Sequence, residues 1–136
     1  MQVGGILETA LHVRDVERSI TFYQKLFGFE VMARDDRFCA MNVAGHDVLL
    51  LFRQGGSTKP MPVPGGVIPP HGGEGALHVA FAIAKADLAG WRQKLAAEGV
   101  SIESTVDWPE GGHSLYFRDP DGHLLELATP GIWPNY

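Results

Sequence analysis

The sequence predicts an α+β protein made of two tandem copies of a strand–helix–strand–strand–strand unit. Three observations carry this expectation. Short runs with two-residue apolar alternation are interleaved with only two segments of helical period. The order of these segments repeats in the second half of the chain. Landmark residues of the halves also align: Glu8 with His78, Gly28 with Gly99, and Gly45-His46-Asp47-Val48-Leu49-Leu50 with Gly122-His123-Leu124-Leu125-Glu126-Leu127. Self-similarity of this weak but ordered kind is what a duplicated supersecondary unit leaves behind.

The elements follow in order. Ile6–Val13 alternates, with Leu7, Thr9 and Leu11 on one face and Glu8, Ala10 and His12 on the other. Asp15 is a good N-cap for a helix whose stripe is Val16, Ile20, Tyr23 and Phe27, with Gly28 as its stop. Strands are expected at Phe29–Arg34, Arg37–Val43 and Asp47–Arg53, turned by Asp35-Asp36 and Ala44-Gly45-His46. The second copy begins with a strand at Leu77–Ala84. Asp87 caps a helix striped by Leu88, Trp91 and Leu95 and stopped by Gly99. Strands near Val100–Thr105, His113–Arg118 and His123–Thr129 complete it. Module 6–53 and module 77–129 form one domain over 1–136, joined by a Pro/Gly-rich segment at 54–76. That segment is expected to be irregular and largely exposed, a linker or a lid. Its Met61, Val63, Val67 and Ile68 suggest that it packs on something.

Composition narrows the partners. The chain has 136 residues, 11 Lys+Arg against 16 Asp+Glu, and a net charge of −5. An acidic balance without a basic cluster argues against nucleic acid. No apolar run is long enough to span a bilayer, and the N-terminus lacks the pattern of a signal peptide. The single Cys39 offers no internal disulfide. A cytoplasmic globular protein acting on, or binding, a small molecule is the expectation.

Glu8, His78 and Glu126 interrupt strands that otherwise read as apolar. A buried carboxylate needs a partner. One divalent cation would satisfy all three groups and leave positions open for substrate or water. The alternatives stay open at this level: a glutamate at an exposed strand edge, a histidine hydrogen-bonded in the core.

LETALHVRDVERSITFYQKLFGFEV and SLYFRDPDGHLLEL resemble the first strand–helix and the last hairpin of the vicinal oxygen chelate superfamily, which includes glyoxalases, extradiol dioxygenases, fosfomycin thiol transferases and bleomycin-binding proteins. The resemblance covers about residues 6–129. It implies paired βαβββ modules whose curved mixed sheet encloses a cleft, helices outside, around one divalent ion (Zn, Ni, Mn, Co or Fe). It assigns the ligands to Glu8, seven residues before Asp15, to His78, and to Glu126, four residues after the glycine of DPDG. It implies a homodimer in which Glu8 of one copy meets His78 and Glu126 of the other. It also implies a metal-dependent isomerase, lyase or thiol transferase acting on adjacent oxygens.

Two departures qualify the resemblance. Glu8 stands where the family often has His, which weakens a dioxygenase reading. The internal alignment sets Leu49 opposite Glu126, so a fourth ligand there is absent. An extradiol-type dioxygenase and a metal-free drug-binding protein are the alternatives.

Other residues are placed near the cleft by parity or by the repeat. His12 shares a face with Glu8 and is a candidate general base. Tyr116 matches a tyrosine that faces the active site in several superfamily enzymes. Cys39 is its repeat partner and is expected on the same cavity. Arg53 is a candidate for an anionic substrate, and Trp108 flanks a Gly-rich loop able to close over a ligand. His46 and His123, each after a turn glycine, are expected to face solvent. The tail aromatics Trp133 and Tyr136 are expected to dock on the body or on a second copy.

Overall fold

Asp15 opens the first helix as its sequence predicts. In the computed structural model, which describes residues 1–136, its side chain accepts the Arg18 N–H at 3.0 Å. Strand β1 (Glu8–Val13) precedes this helix, α1 (Val16–Phe27), and β2 (Glu30–Arg34), β3 (Phe38–Val43) and β4 (Asp47–Arg53) follow it. Gly28 ends α1 at φ 73°, a left-handed conformation that glycine adopts without a Cβ penalty. Val16, Ile20, Tyr23 and Leu26 form its buried face, which packs on β3 and β4. The strands order as β1-β4-β3-β2, with β1 parallel to β4.

The segment after β4 is not wholly irregular. Strands β5 (Met61–Val63) and β6 (Gly66–Ile68) pair as a small hairpin. Pro64 and Gly65 supply the residues that a type II turn favours, and Gly65 takes φ 95°. Three-residue strands, one of them containing Pro62, are below what alternation reveals.

The second half repeats the first: β7 (His78–Ala82), α2 (Leu88–Ala97), β8 (Ser104–Asp107), β9 (His113–Arg118) and β10 (Leu124–Ala128), in the order β7-β10-β9-β8 with β7 parallel to β10. Asp87 does not cap α2 with its side chain; it closes a 3-10 turn, Lys85–Asp87, that leads into the helix. Only Leu95 of the predicted stripe is buried. Strand β8 starts later than expected. The Val100 N–H returns to the Leu95 carbonyl to close off the helix, and pairing with β9 resumes at Glu103. The chain divides into two compact units, Met1–Gly75 and Ala76–Tyr136, each holding one four-stranded mixed sheet. No helix is long and apolar enough to cross a membrane.

Strand register defines two faces in each unit. In the first, Leu11, Val13, Cys39, Met41, Leu49 and Leu51 are buried to 1% exposure or less and form the helix-side core. Glu8, Ala10 and His12 lie on the other face, opposite Val48, Leu50 and Phe52 of β4. In the second, Leu115, Phe117, Leu125 and Leu127 form the core, while His78, Tyr116 and Glu126 share the opposite face.

This register corrects the repeat alignment by one residue. Glu8 pairs with Val48 as His78 pairs with Leu124, so Leu50, not Leu49, corresponds to Glu126. Leu50 cannot coordinate a metal either. Likewise Ala40, not Cys39, corresponds to Tyr116. A one-residue slip exchanges the faces of a strand, and Cys39 therefore lies in the core. Its thiol is fully buried, and burial raises its pKa.

Candidate metal centre and pockets

The second unit brings His78 and Glu126 together. Neighbouring strands β7 and β10 set His78 Nε2 3.3 Å from Glu126 Oε2. The other ring nitrogen, Nδ1, lies 3.0 Å from the Leu124 carbonyl, to which it can only donate. That bond fixes the tautomer and directs Nε2 at the carboxylate. Leu77, just ahead of His78, is itself anchored: its N–H donates to His123 Nδ1 at 3.0 Å. His123 is fully buried, contrary to the solvent-facing position expected of it, because Asp119 Oδ1 accepts the N–H groups of Asp121 and His123 and turns the chain inward. His46 does face solvent, beside Asp47.

Glu126 is a buried carboxylate with its partners in place. Oε1 accepts from Ser114 Oγ at 2.5 Å and from the Tyr116 hydroxyl at 3.0 Å. The Trp108 Nε1–H donates to Ser114 Oγ at 2.8 Å. An indole N–H is a donor only, so Ser114 accepts from Trp108 and passes its own proton toward Glu126. Burial, reinforced by the Glu126 carboxylate, holds the Tyr116 phenol above its ordinary pKa, so it stays a hydrogen-bond donor at neutral pH. Ser114 was missed in the sequence. Its signal was parity, since it lies two residues from Tyr116 on the same face of β9.

His78, Trp108, Tyr116 and Glu126 border a cavity of about 340 Å³ with Trp133 and Tyr136 of the tail. The Tyr136 hydroxyl docks on the body, donating to the carbonyls of Ala128 and Ile83 at 2.9 and 3.2 Å. The Trp108 loop is a pinned turn, not a free lid. Trp108 and Gly112 bond through their backbones, Lys85 Nζ reaches the Gly111 carbonyl, and a Cβ on Gly112 would come within 2.7 Å of the Gly131 backbone.

Glu8 belongs to the first unit, where it borders a second cavity of about 420 Å³ with Leu50, Phe52, Arg37, Lys59 and His71. Neither unit by itself holds a group of three or more His, Cys, Asp and Glu side chains suited to a metal. His12 stands behind this cavity instead of lining it. It is 6% exposed, stacked on Phe52 and covered by His71 and Gly73. Arg53 ends β4 with the parity of Leu49 and Leu51, the helix-side set, and lines neither cavity. Arg37 and Lys59 are the cations at the pocket.

The donor set fits a divalent ion. Ligand bonds of ~2.1 Å set neighbouring donors about 3.0–3.4 Å apart in octahedral or tetrahedral geometry, and the His78–Glu126 separation of 3.3 Å matches. A lone pair on Nε2 and a carboxylate lone pair repel unless a proton or cation lies between them. The hydrogen bonds to Leu124, Ser114 and Tyr116 are of the kind that would orient His78 and Glu126 toward an ion. Replacing Ser114 by Ala is expected to keep the fold at a cost of about 1–2 kcal/mol and to weaken divalent-metal binding by roughly 10–100-fold. Thermal melts and metal titration read the two effects separately; unchanged metal affinity would remove Ser114 from the site.

Two units of strand–helix–strand–strand–strand order, each with a four-stranded mixed sheet, define a protein of the glyoxalase fold class. The chain belongs to the Glyoxalase/Bleomycin resistance protein/Dioxygenase superfamily, whose family model matches residues 5–127. It is 29% identical to metallothiol transferase FosB of Bacillus licheniformis over 97% of this chain and 79% of that protein. It is 31% identical to glutathione transferase FosA of Serratia marcescens over 90% of this chain and 78% of that one. A crystal structure of lactoylglutathione lyase from Agrobacterium tumefaciens superposes with a TM-score of 0.89 at 29% identity, covering 98% of this chain and 99% of that chain. These relatives are enzymes of the thiol-transfer and lyase types.

Proposed function

We propose that this protein is a divalent-metal-dependent enzyme, cytoplasmic and homodimeric, that acts on a small molecule with adjacent oxygens by lyase, isomerase or thiol-transfer chemistry. The observation that carries the reading is the His78–Glu126 pair, with its fixed tautomer and its 3.3 Å separation. Glu8 of the partner subunit would complete the donor set. A divalent ion bound there supplies Lewis-acid polarisation of chelated oxygens. Glu126 and Glu8 would set two negative charges beside His78, so a divalent ion held there would be formally neutral and would acidify water less than one held by a His-rich set. Stabilising a substrate anion is then favoured over making free hydroxide. Tyr116, held protonated, donates its one hydroxyl proton to Glu126 Oε1 and so helps to orient that carboxylate.

The carboxylates tolerate Mn2+, Ni2+, Co2+, Zn2+ or Fe2+ and disfavour soft ions. Turnover is expected under argon with Mn2+, Ni2+ or Zn2+ added separately. The substrate panel would consist of small molecules carrying adjacent oxygens, each tried with and without a thiol. Strict dependence on Fe2+ and O2 would reject this reading in favour of ring-cleaving oxygenation.

A further inference from the structure

We propose that His123 is a positioning residue for the His78–Glu126 pair. Its buried, neutral ring grips the backbone just ahead of His78 and so keeps Nε2 of His78 directed at Glu126. This deepens the proposed function and rests on it where metal affinity is the readout; the setting of the His78 ring can be read without metal.

The state of the His123 ring follows from its partner. A backbone N–H can only donate, and the Leu77 N–H meets His123 Nδ1 at 3.0 Å. Nδ1 therefore keeps its lone pair, and the ring proton sits on Nε2. The residue is fully buried. Asp119 sets its place: Oδ1 accepts the His123 N–H at 2.9 Å, and the Asp119 N–H donates to the His123 carbonyl at 3.1 Å.

Three bonds then converge on Leu77 and His78. His123 takes the Leu77 N–H, the Leu124 N–H donates to the Leu77 carbonyl at 2.8 Å, and the Leu124 carbonyl lies 3.0 Å from His78 Nδ1. The first two hold the backbone and the third holds the ring. Such a grip is needed at this position. His78 opens β7, the edge strand of its sheet, and its side chain is 49% exposed. Strand ends open more readily than strand centres, whereas a ligating group must be held to within ~0.5 Å.

The first unit shows that strand pairing does not require the grip. There the same rung forms, with the Val48 N–H on the Leu7 carbonyl at 3.0 Å, and β1 pairs with β4 from Glu8 to Val13. Asp47, one residue before Val48, stands where His123 stands before Leu124. It is exposed, beside His46. The buried imidazole occurs in the unit that carries the His78–Glu126 pair.

The test compares the full chain with its His123→Asn and His123→Leu variants. The asparagine side-chain oxygen can take the place of Nδ1 and accept the Leu77 N–H, whereas leucine keeps the bulk and removes the acceptor. His123→Leu is expected to bind Zn2+ roughly 10–100-fold more weakly. His123→Asn is expected to stay within about threefold of wild type, well short of that loss, although its smaller side chain leaves a cavity and lowers its melting temperature. A merely structural histidine would make affinity follow melting temperature. Equal affinity of wild type and His123→Leu, or an equal loss in both variants, would overturn the proposal. Leu77→Pro deletes the donor from the other side, at a strand start where proline is tolerated. It is expected to weaken Zn2+ by the same factor, and unchanged affinity there would count against the grip.

Proton–nitrogen correlation spectra of the metal-free imidazoles give the second readout. Wild type should carry the His123 proton on Nε2 and the His78 proton on Nδ1. In His123→Leu, His78 should lose that single tautomer. A His123 proton on Nδ1 in wild type, or an unchanged His78 in the variant, would sink the inference. A wild type that binds no Zn2+ rejects the metal reading alone and leaves these spectra to decide this one.

Discussion

Replacing His78 by Ala is expected to abolish stoichiometric divalent metal and leave a folded protein. His78 is the only nitrogen donor of the proposed set, and its Nε2 is aimed at Glu126 by the Leu124 carbonyl. Loss of an outer partner alone costs about 10–100-fold in metal affinity, so loss of a ligand is expected to cost at least ~100-fold. Stability should change little. The His78 side chain is 49% exposed, and Glu126 keeps its bonds from Ser114 and Tyr116. Elemental analysis after dialysis against the ion reads the first effect and thermal unfolding the second. One retained equivalent of metal in a folded His78→Ala protein would remove His78 from the ligand set.

The two residues that this experiment depends on were legible because they break a rule. A carboxylate and an imidazole in apolar, alternating strands need partners, and the strands that carry them are short but regular. Helix α1 was legible for a related reason. Asp15, the stripe and Gly28 all point to the same boundaries, and the cap geometry agrees.

The register of the first module was not legible. Gly45 and Gly122 look equivalent in the sequence, but glycine goes where a turn needs positive φ, here 83° and 84°. Gly45 lies three residues before Val48, and Gly122 two before Leu124. Anchoring the repeat on those glycines therefore shifted β4 by one and put Cys39, Leu49 and Arg53 on the wrong face. His123 was misplaced for a similar reason. A residue after a turn glycine looks solvated until the Asp119 side chain is seen to fold it inward. The pocket cations Arg37 and Lys59 depend on loop paths that alternation does not describe.

Mixing two inactive variants is expected to restore metal binding, and this is the sharpest test of how the site is assembled. Glu8 lies on the sheet of the first unit, and His78 with Glu126 on the sheet of the second. In a two-fold dimer each site would take Glu8 of the partner subunit and the His78–Glu126 pair of its own chain. Glu8→Ala alone and His78→Ala alone should then each lose both sites. In a mixed dimer both defects fall in one site and the other is intact. Random exchange makes half the dimers mixed, so about one quarter of the wild-type sites should return. Unfolding together and refolding, followed by metal analysis of the recovered dimer, measures that fraction. Were all three donors drawn from one copy, every site would carry one defect and mixing would restore nothing. A monomer in light scattering at micromolar concentration would rule out the shared site by a separate route.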